Sequence, residues 1–345
     1  MDLTKFDYEL PESAIAQEPL ADRAGSRMLV LDRAGQRWED RAFRDLPTLL
    51  HAGDCLVLND SRVFPSRLFG HRAGVYSRPV GKNNPKRWQN LSGRVEVFLL
   101  EPLSEDALTW NALVRPGRKM RTAERIVFDQ GIEAEILSRG EFGERTLRFH
   151  TAEPIYDVLQ KIGHVPLPPY IKRPDRPEDR ERYQTVFARA TGSVAAPTAG
   201  LHFTPEVLQA CRNAGADLAY VTLHVGLGTF QPVRGETLHS EHFEITPENL
   251  ARMQRAQRVV CVGTTSVRAV ESQALGRQRE TDLFIRPGFD FRRTGAMLTN
   301  FHLPQSSLLM LVCAFAGTEL TLAAYRHAVA AGYRFYSYGD CMLII

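Results

Sequence analysis

Val259-Val260-Cys261-Val262-Gly263-Thr264-Thr265-Ser266-Val267-Arg268 reads as a strand, a tight turn and the first turn of a helix. Four apolar residues in a row, with no polar alternation, mark a strand covered on both faces, as in an α/β sheet. Leu218-Ala219-Tyr220-Val221-Thr222-Leu223 has the same character, and Arg27 to Leu31 and Cys55 to Leu58 add strand-like pieces near the start of the chain. Thr204-Pro205-Glu206 and Thr246-Pro247-Glu248 each give a helix start: an N-cap hydroxyl, a proline at the first helical position and an acid in the first turn. Gly215 closes the first of these helices. A closing helix is predicted over Thr321 to Ala331, with a last strand near Tyr333 to Tyr338.

Between these ends the rhythm changes. Short strand patterns follow one another at Val95 to Leu100, Trp110 to Val114, Ile126 to Phe128, Ile132 to Leu137 and Arg145 to Phe149, with a turn at Arg139-Gly140-Glu141-Phe142-Gly143. The predicted architecture is therefore an α/β layered main domain built from both chain ends, residues 1–62 and 152–345. Residues 63–151 are expected to form an inserted all-β domain, a small β-barrel and a candidate nucleic-acid-binding surface.

With 345 residues, 43% hydrophobic and 24% charged, the chain is long enough for two domains and has the balance of a folded globular protein. Its first residues, Met1-Asp2-Leu3-Thr4-Lys5-Phe6-Asp7, lack a signal-peptide h-region, so a cytoplasmic location is expected. The apolar run Leu308 to Ala316 is far shorter than the ~20 residues a bilayer requires and predicts a buried helix. Five scattered cysteines contain no CxxC pair, which points to neither disulfides nor a zinc knuckle. From Arg62 to Arg94 there are eight Lys or Arg and no acid, leaving 35 Lys and Arg against 40 Asp and Glu elsewhere. That +8 stretch suits a polyanion, although a solvated basic loop has the same composition.

Several loops mix reactive side chains with turn residues. Thr198 and His202 sit in Ala196-Pro197-Thr198-Ala199-Gly200-Leu201-His202-Phe203, aimed at a helix start. His224 follows a strand and precedes a Gly-rich turn that is not a dinucleotide fingerprint. Thr264, Thr265 and Arg268 surround a helix N-terminus, where free N–H groups and the dipole favour an anion; ordinary capping has the same signature. Asn300 and His302 precede the apolar helix, and Tyr336-Ser337-Tyr338-Gly339-Asp340 brings rings beside a carboxylate, a seat for a sulfonium cation. His239-Ser240-Glu241-His242 invites a metal reading, but no third ligand at zinc spacing accompanies it, so no metal is expected. Lys172 and Arg173, after Pro166-Leu167-Pro168-Pro169, could grip phosphates or form a solvated loop.

Taken together, Asp7-Tyr8-Glu9-Leu10-Pro11, Leu58-Asn59-Asp60-Ser61-Arg62, Gly163-His164-Val165-Pro166-Leu167-Pro168-Pro169-Tyr170-Ile171, Ala196 to Phe203, Leu223-His224-Val225-Gly226, Val262 to Arg268, Asn300-Phe301-His302-Leu303-Pro304 and Ser337-Tyr338-Gly339-Asp340 resemble the S-adenosylmethionine:tRNA ribosyltransferase-isomerases of the queuosine pathway. The resemblance runs from end to end. It implies an α/β domain with an inserted β-barrel, monomeric and without metal. It also implies transfer and isomerisation of the ribosyl unit of S-adenosylmethionine onto 7-aminomethyl-7-deazaguanine at the tRNA wobble position, giving epoxyqueuosine-tRNA, adenine and methionine. S-adenosylmethionine is then a consumed substrate, and no cofactor is called for. The segment from Tyr76 to Ser92 is longer than the family's hairpin, and the stretch from Arg234 to His239 is shorter.

That chemistry sets requirements. A sulfonium acidifies the adjacent C5′ protons, so a base is needed to begin opening the furanose, and His202, His224 and His302 are the candidates. Departure of adenine needs a proton or a strong hydrogen bond, a role open to Asp60, Asp340 or one of those histidines. Arg62, Thr198, Thr264, Thr265, Arg268, Asn300 and Tyr338 are the expected substrate-binding residues, and Lys82, Lys86, Arg87, Lys172 and Arg173 the expected tRNA contacts. Two rival readings are an S-adenosylmethionine-dependent RNA methyltransferase, which would release S-adenosylhomocysteine, and a non-catalytic RNA-binding protein resting on the +8 segment alone. The usual methyltransferase glycine-rich loop is not evident.

Overall fold

The computed structural model describes residues 3–73, 93–141, 143–226 and 240–345. They divide into two compact units: Met1–Arg62 with Pro168–Pro174 and Glu181–Ile345, and Val63–Leu167 with Asp175–Arg180. The sequence suggested a break between 151 and 152, whereas the contacts place it after Leu167. Here the backbones of His164 and Arg67 exchange hydrogen bonds of 2.8 and 3.3 Å, which holds the segment after the barrel against a barrel strand.

The first unit is built on a mixed sheet. Among the described residues its strands lie in the order Glu280–Thr281, Glu241–Glu244, Asp217–Leu223, Asp54–Asn59, Arg258–Val262, Thr294–Asn300, Cys341–Ile344, Arg27–Asp32, Arg37–Ala42. The four from Asp217–Leu223 to Thr294–Asn300 are mutually parallel. Because side chains alternate along a strand, Cys55 and Val57 feed one core while Leu56 and Leu58 feed the other. The first core also takes Val267 and Val270 of the helix Thr264–Ala274 and the apolar helix Ser307–Ala316; the second takes Val207 and Cys211 of Pro205–Asn213. The two-faced burial anticipated from the apolar runs is what the sheet shows. Both sequence-predicted N-caps form: Thr204 Oγ1 accepts from Val207 N at 3.3 Å, and Thr246 Oγ1 from Asn249 N at 3.4 Å.

The second unit contains a closed six-stranded antiparallel barrel, in the order Glu144–His150, Thr109–Arg115, Arg94–Pro102, Arg67–Arg72, Arg125–Phe128, Glu133–Arg139. Val95, Val97 and Leu99 alternate inward with Trp110, Ala112 and Val114 of the neighbouring strand, all buried. The inserted β-barrel expected from the sequence is present.

Three expectations about elements change. Tyr333 to Tyr338 is not a strand: Tyr336 has φ +72°, and Asp340 Oδ2 accepts from Arg334 N at 2.8 Å, folding the segment into a loop. Gly339 allows this, since a Cβ there would lie 2.5 Å from Arg334 O. The last strand is Cys341–Ile344, and the closing helix spans Thr318–Ala330, beginning after Gly317 at φ +88°. The strand Arg37–Ala42 escaped notice because it is a charged, mostly exposed edge, and Arg67–Arg72 because Gly70 and two arginines break its apolar pattern.

Candidate active site

The four parallel strands end at Leu223, Asn59, Val262 and Asn300, and the loops that follow three of them help enclose a cavity of about 500 Å³. This is where open α/β sheets receive ligands. Thr198, Thr264, Thr265, Arg268, Asn300 and His302 all line it, so the fold gathers six of the sequence-predicted residues from three separate segments.

One wall is the N-terminus of the helix Thr264–Ala274. Gly263 occupies the N-cap with φ +89° and makes no side-chain cap, so the first-turn N–H groups are not satisfied from the cap position. Thr265 Oγ1 accepts from Asn59 Nδ2 at 3.3 Å, and Asn59 is itself fixed by Leu223, its Nδ2 donating to Leu223 O at 3.0 Å and its Oδ1 accepting from Leu223 N at 3.1 Å. Arg268 is not a loose cation. It forms a buried ion pair with Glu241, and its Nε and Nη2 donate to Leu283 O and Thr281 O at 3.2 and 3.4 Å. Glu241 in turn accepts from Gly226 N at 3.2 Å, so the motif first weighed as a metal site supplies a structural carboxylate. Among the described residues no group of three or more His, Cys, Asp or Glu is placed to hold a metal.

Another part of the lining is aromatic. Tyr170 and Tyr336 approach to 4.1 Å between ring centroids, and Tyr170 Oη shares a hydrogen bond of 2.6 Å with Ser337 Oγ. The Tyr336 hydroxyl is buried and has no hydrogen-bond partner. Burial raises its pKa well above the ordinary phenol value, so it remains a proton donor. The sequence pointed instead to Tyr338, which lines a separate hollow of about 20 Å³ together with His202. The φ of +72° at Tyr336 takes the segment out of strand geometry, in which Tyr336 and Tyr338 would share a face.

The three histidines separate. His302 lines the cavity with Nε2 2.8 Å from Thr299 Oγ1; its carbonyl accepts from Tyr8 Oη at 2.5 Å and its N–H donates to Tyr325 Oη at 3.2 Å. Burial pushes its pKa down to about 3, leaving a neutral imidazole. His202 lies in the small hollow with Nδ1 2.8 Å from Ser26 Oγ, and burial lowers its pKa to about 4. Its Nε2 has no partner at ordinary hydrogen-bond geometry, yet Asn300 is near enough to oppose that shift, and Asn300 Oδ1 also lacks another partner. Asn300 Nδ2 donates to Tyr336 O at 2.9 Å, which ties the cavity-lining Asn300 to the loop that carries Tyr336. His224 stands apart from the cavity wall; its pKa is lowered by burial and by His242, against the pull of Asp60 and Glu244.

Asp60 and Asp340 also lie away from the cavity lining. Asp60 is paired with Arg189 at 2.6 Å and accepts from Thr222 Oγ1 at 2.6 Å. Asp340 accepts from Arg27 N and Arg334 N at 2.9 and 2.8 Å, while burial raises its pKa. Arg62 is exposed. Lys172 pairs with Glu12, and Arg173 with Glu18 at 3.0 Å. Lys82, Lys86 and Arg87 lie outside the described residues.

A family model described as queuosine biosynthesis protein matches residues 3–344. This chain belongs to that family. A relative from Solibacter usitatus, named S-adenosylmethionine:tRNA ribosyltransferase-isomerase, is 68% identical over the whole of both chains. One of the same name from Moorella thermoacetica is 46% identical, again over both full lengths. A crystal structure of S-adenosylmethionine tRNA ribosyltransferase from Thermotoga maritima is 37% identical, covers 99% of this chain and all of that one, and superposes with a TM-score of 0.54. The queuosine biosynthesis family is thus shared over the full length, with the α/β and barrel architecture intact.

Proposed function

We propose that this chain is an S-adenosylmethionine:tRNA ribosyltransferase-isomerase and that the 500 Å³ cavity is where S-adenosylmethionine reacts. Relatives carrying that name align over the whole of their length and of this chain. The observation that carries the site assignment is the pairing, in one cavity, of an uncapped helix N-terminus with two tyrosine rings in close, tilted contact. The first suits the methionine carboxylate, and the ring faces suit the sulfonium and the adenine. A volume of this size is in the range of small-molecule sites.

In this reading Thr264 and Thr265 hold the carboxylate, while Arg268, neutralised by Glu241, braces the helix that presents them. His302 is the base best placed to take the C5′ proton, since it alone of the three candidate histidines lines the cavity. Burial keeps its imidazole neutral in the free protein but also makes it a weak base, so proton uptake relies on the acidity that the sulfonium gives the C5′ protons. Tyr336, kept protonated by burial, donates to the departing adenine. His202 acts through Asn300 as a positioning residue, and Asp60, His224 and Asp340 serve the surrounding scaffold. The amine of 7-aminomethyl-7-deazaguanine, flipped from the anticodon stack of its tRNA, takes the ribosyl carbons and methionine leaves. S-adenosylmethionine is consumed, no cofactor takes part, and the chain acts as a monomer. Among the described residues no single helix is long and apolar enough to cross a membrane, and a cytoplasmic setting suits a tRNA substrate.

Incubation with S-adenosylmethionine and substrate tRNA is expected to release adenine and methionine in equal amounts. Release of S-adenosylhomocysteine with adenine still attached to its ribose would refute the assignment.

A further inference from the structure

The barrel's hydrogen-bond register brings arginines to one of its two mouths. His71 lies opposite Arg94, Arg72 opposite Ile126, Glu96 opposite Arg115, and Arg145 opposite Arg139. Every strand therefore begins or ends at this mouth, and five of the six terminate there in an arginine: Arg72, Arg94, Arg115, Arg125 and Arg139. The connection from Pro116 to Glu124 adds Arg118, Lys119 and Arg121. At the other mouth, the connections 103–108 and 129–132 carry Glu105, Asp106 and Asp129 and no lysine or arginine. The unit is electrically polarised along the barrel.

The basic mouth is also held in shape. Arg145 shares the inward parity of Leu147 and Phe149 and is 3% exposed. Its guanidinium donates to Gly117 O and Glu144 O, both at 2.5 Å, and to Met120 O at 2.9 Å. Three backbone carbonyls, and no carboxylate, satisfy this buried cation. The arrangement turns the carbonyls of the loop inward and leaves Arg118 and Lys119 exposed. Some of these cations are paired: Arg72 lies against the buried Glu124 at 3.3 Å and Arg125 against Glu133 at 3.7 Å, while Glu141 and Glu144 lie in one hairpin. Arg115, Arg118, Lys119 and Arg139 make no ion pair with any described residue.

A solvated surface needs no such support, since loose cations are equally soluble on a disordered loop. Guanidinium groups carried on a backbone rim that Arg145 holds in place can bind phosphate oxygens in pairs. We propose that this mouth is a docking face for RNA phosphates, which, resting on the reading above, are those of the substrate tRNA. The contact positions the RNA without reading its sequence.

The test compares the full-length chain with R115S/R118S/K119S, the charge-preserving R115K/R118K, and E105Q at the opposite mouth. Binding of substrate tRNA is measured across a salt series. Removal of three phosphate contacts is expected to lower the slope of log affinity against log salt by about 2, which is about a hundredfold weaker binding at 0.1 M salt. R115K/R118K and E105Q should keep the wild-type slope. A triple variant with wild-type slope and affinity overturns the proposal, as does a lysine variant as weak as the serine one. Failure of the functional reading would show separately, as a wild-type chain that releases no adenine.

Discussion

Replacing Tyr336 by Phe removes one oxygen and leaves the ring that packs against Tyr170 at 4.1 Å. In the free protein that oxygen is buried and unpartnered, so folding strips it of water without a compensating bond. An unmade bond of this kind costs about 1–3 kcal/mol, and deleting the group relieves the cost. Stability should therefore stay level or rise by about 1 kcal/mol. Activity should move the other way. If the hydroxyl donates to adenine as charge develops, its loss removes one preorganised donor, worth about 10²–10³ in turnover. The variant should unfold at an equal or higher urea concentration while releasing adenine at least tenfold more slowly at saturating substrates. The φ of +72° at this position is shared by both side chains and cancels in the comparison. A variant with wild-type turnover would refute the role of the hydroxyl. A loss of stability above about 1 kcal/mol would show that it has a partner inside the protein, and the reasoning would fail at its first step.

Two further results are expected. Burial lowers the pKa of His302 to about 3 and of His202 to about 4, so from the unperturbed value near 6.5 downward the unfolded chain binds protons that the folded one does not. Stability contributed by these two neutral rings is complete above pH 6.5 and is lost as pH falls toward 4, with a slope approaching about 3 kcal/mol per pH unit; urea midpoints unchanged between pH 6.5 and 4.5 would contradict it. Glu241→Ala strands the buried Arg268 guanidinium, leaving it the carbonyls of Leu283 and Thr281 as acceptors, and should cost about 3–5 kcal/mol in denaturant unfolding; a cost below 1 kcal/mol would mean that the pair is exposed to solvent.

The sequence by itself determined the layers and the caps. Val259 to Val262 and Leu218 to Leu223 could only be strands covered on both sides, because nothing polar alternates with their apolar residues. Thr204-Pro205 and Thr246-Pro247 set helix starts through local geometry that no distant contact needs to supply. The family, too, was legible, since its motifs are contiguous. The +8 segment was just as visible, and most of it lies outside the described residues. What the tertiary structure decided is which side chains meet. Thr198, Thr264, Asn300 and His302 are scattered over more than a hundred residues, and only the parallel order of the strands brings their loops to one end of the sheet. Tyr336 lines the cavity and Tyr338 the smaller hollow because the segment is a loop, where residues two apart need not share a face as they would in the strand expected from the sequence. Arg268 looked like a free anion site until Glu241, 27 positions away, was seen to neutralise it. The arginine mouth of the barrel is invisible along the chain, where its residues are spread from 72 to 145, and emerges only from strand register. Local chemistry is written residue by residue, whereas burial and charge pairing depend on neighbours that the chain acquires when it folds.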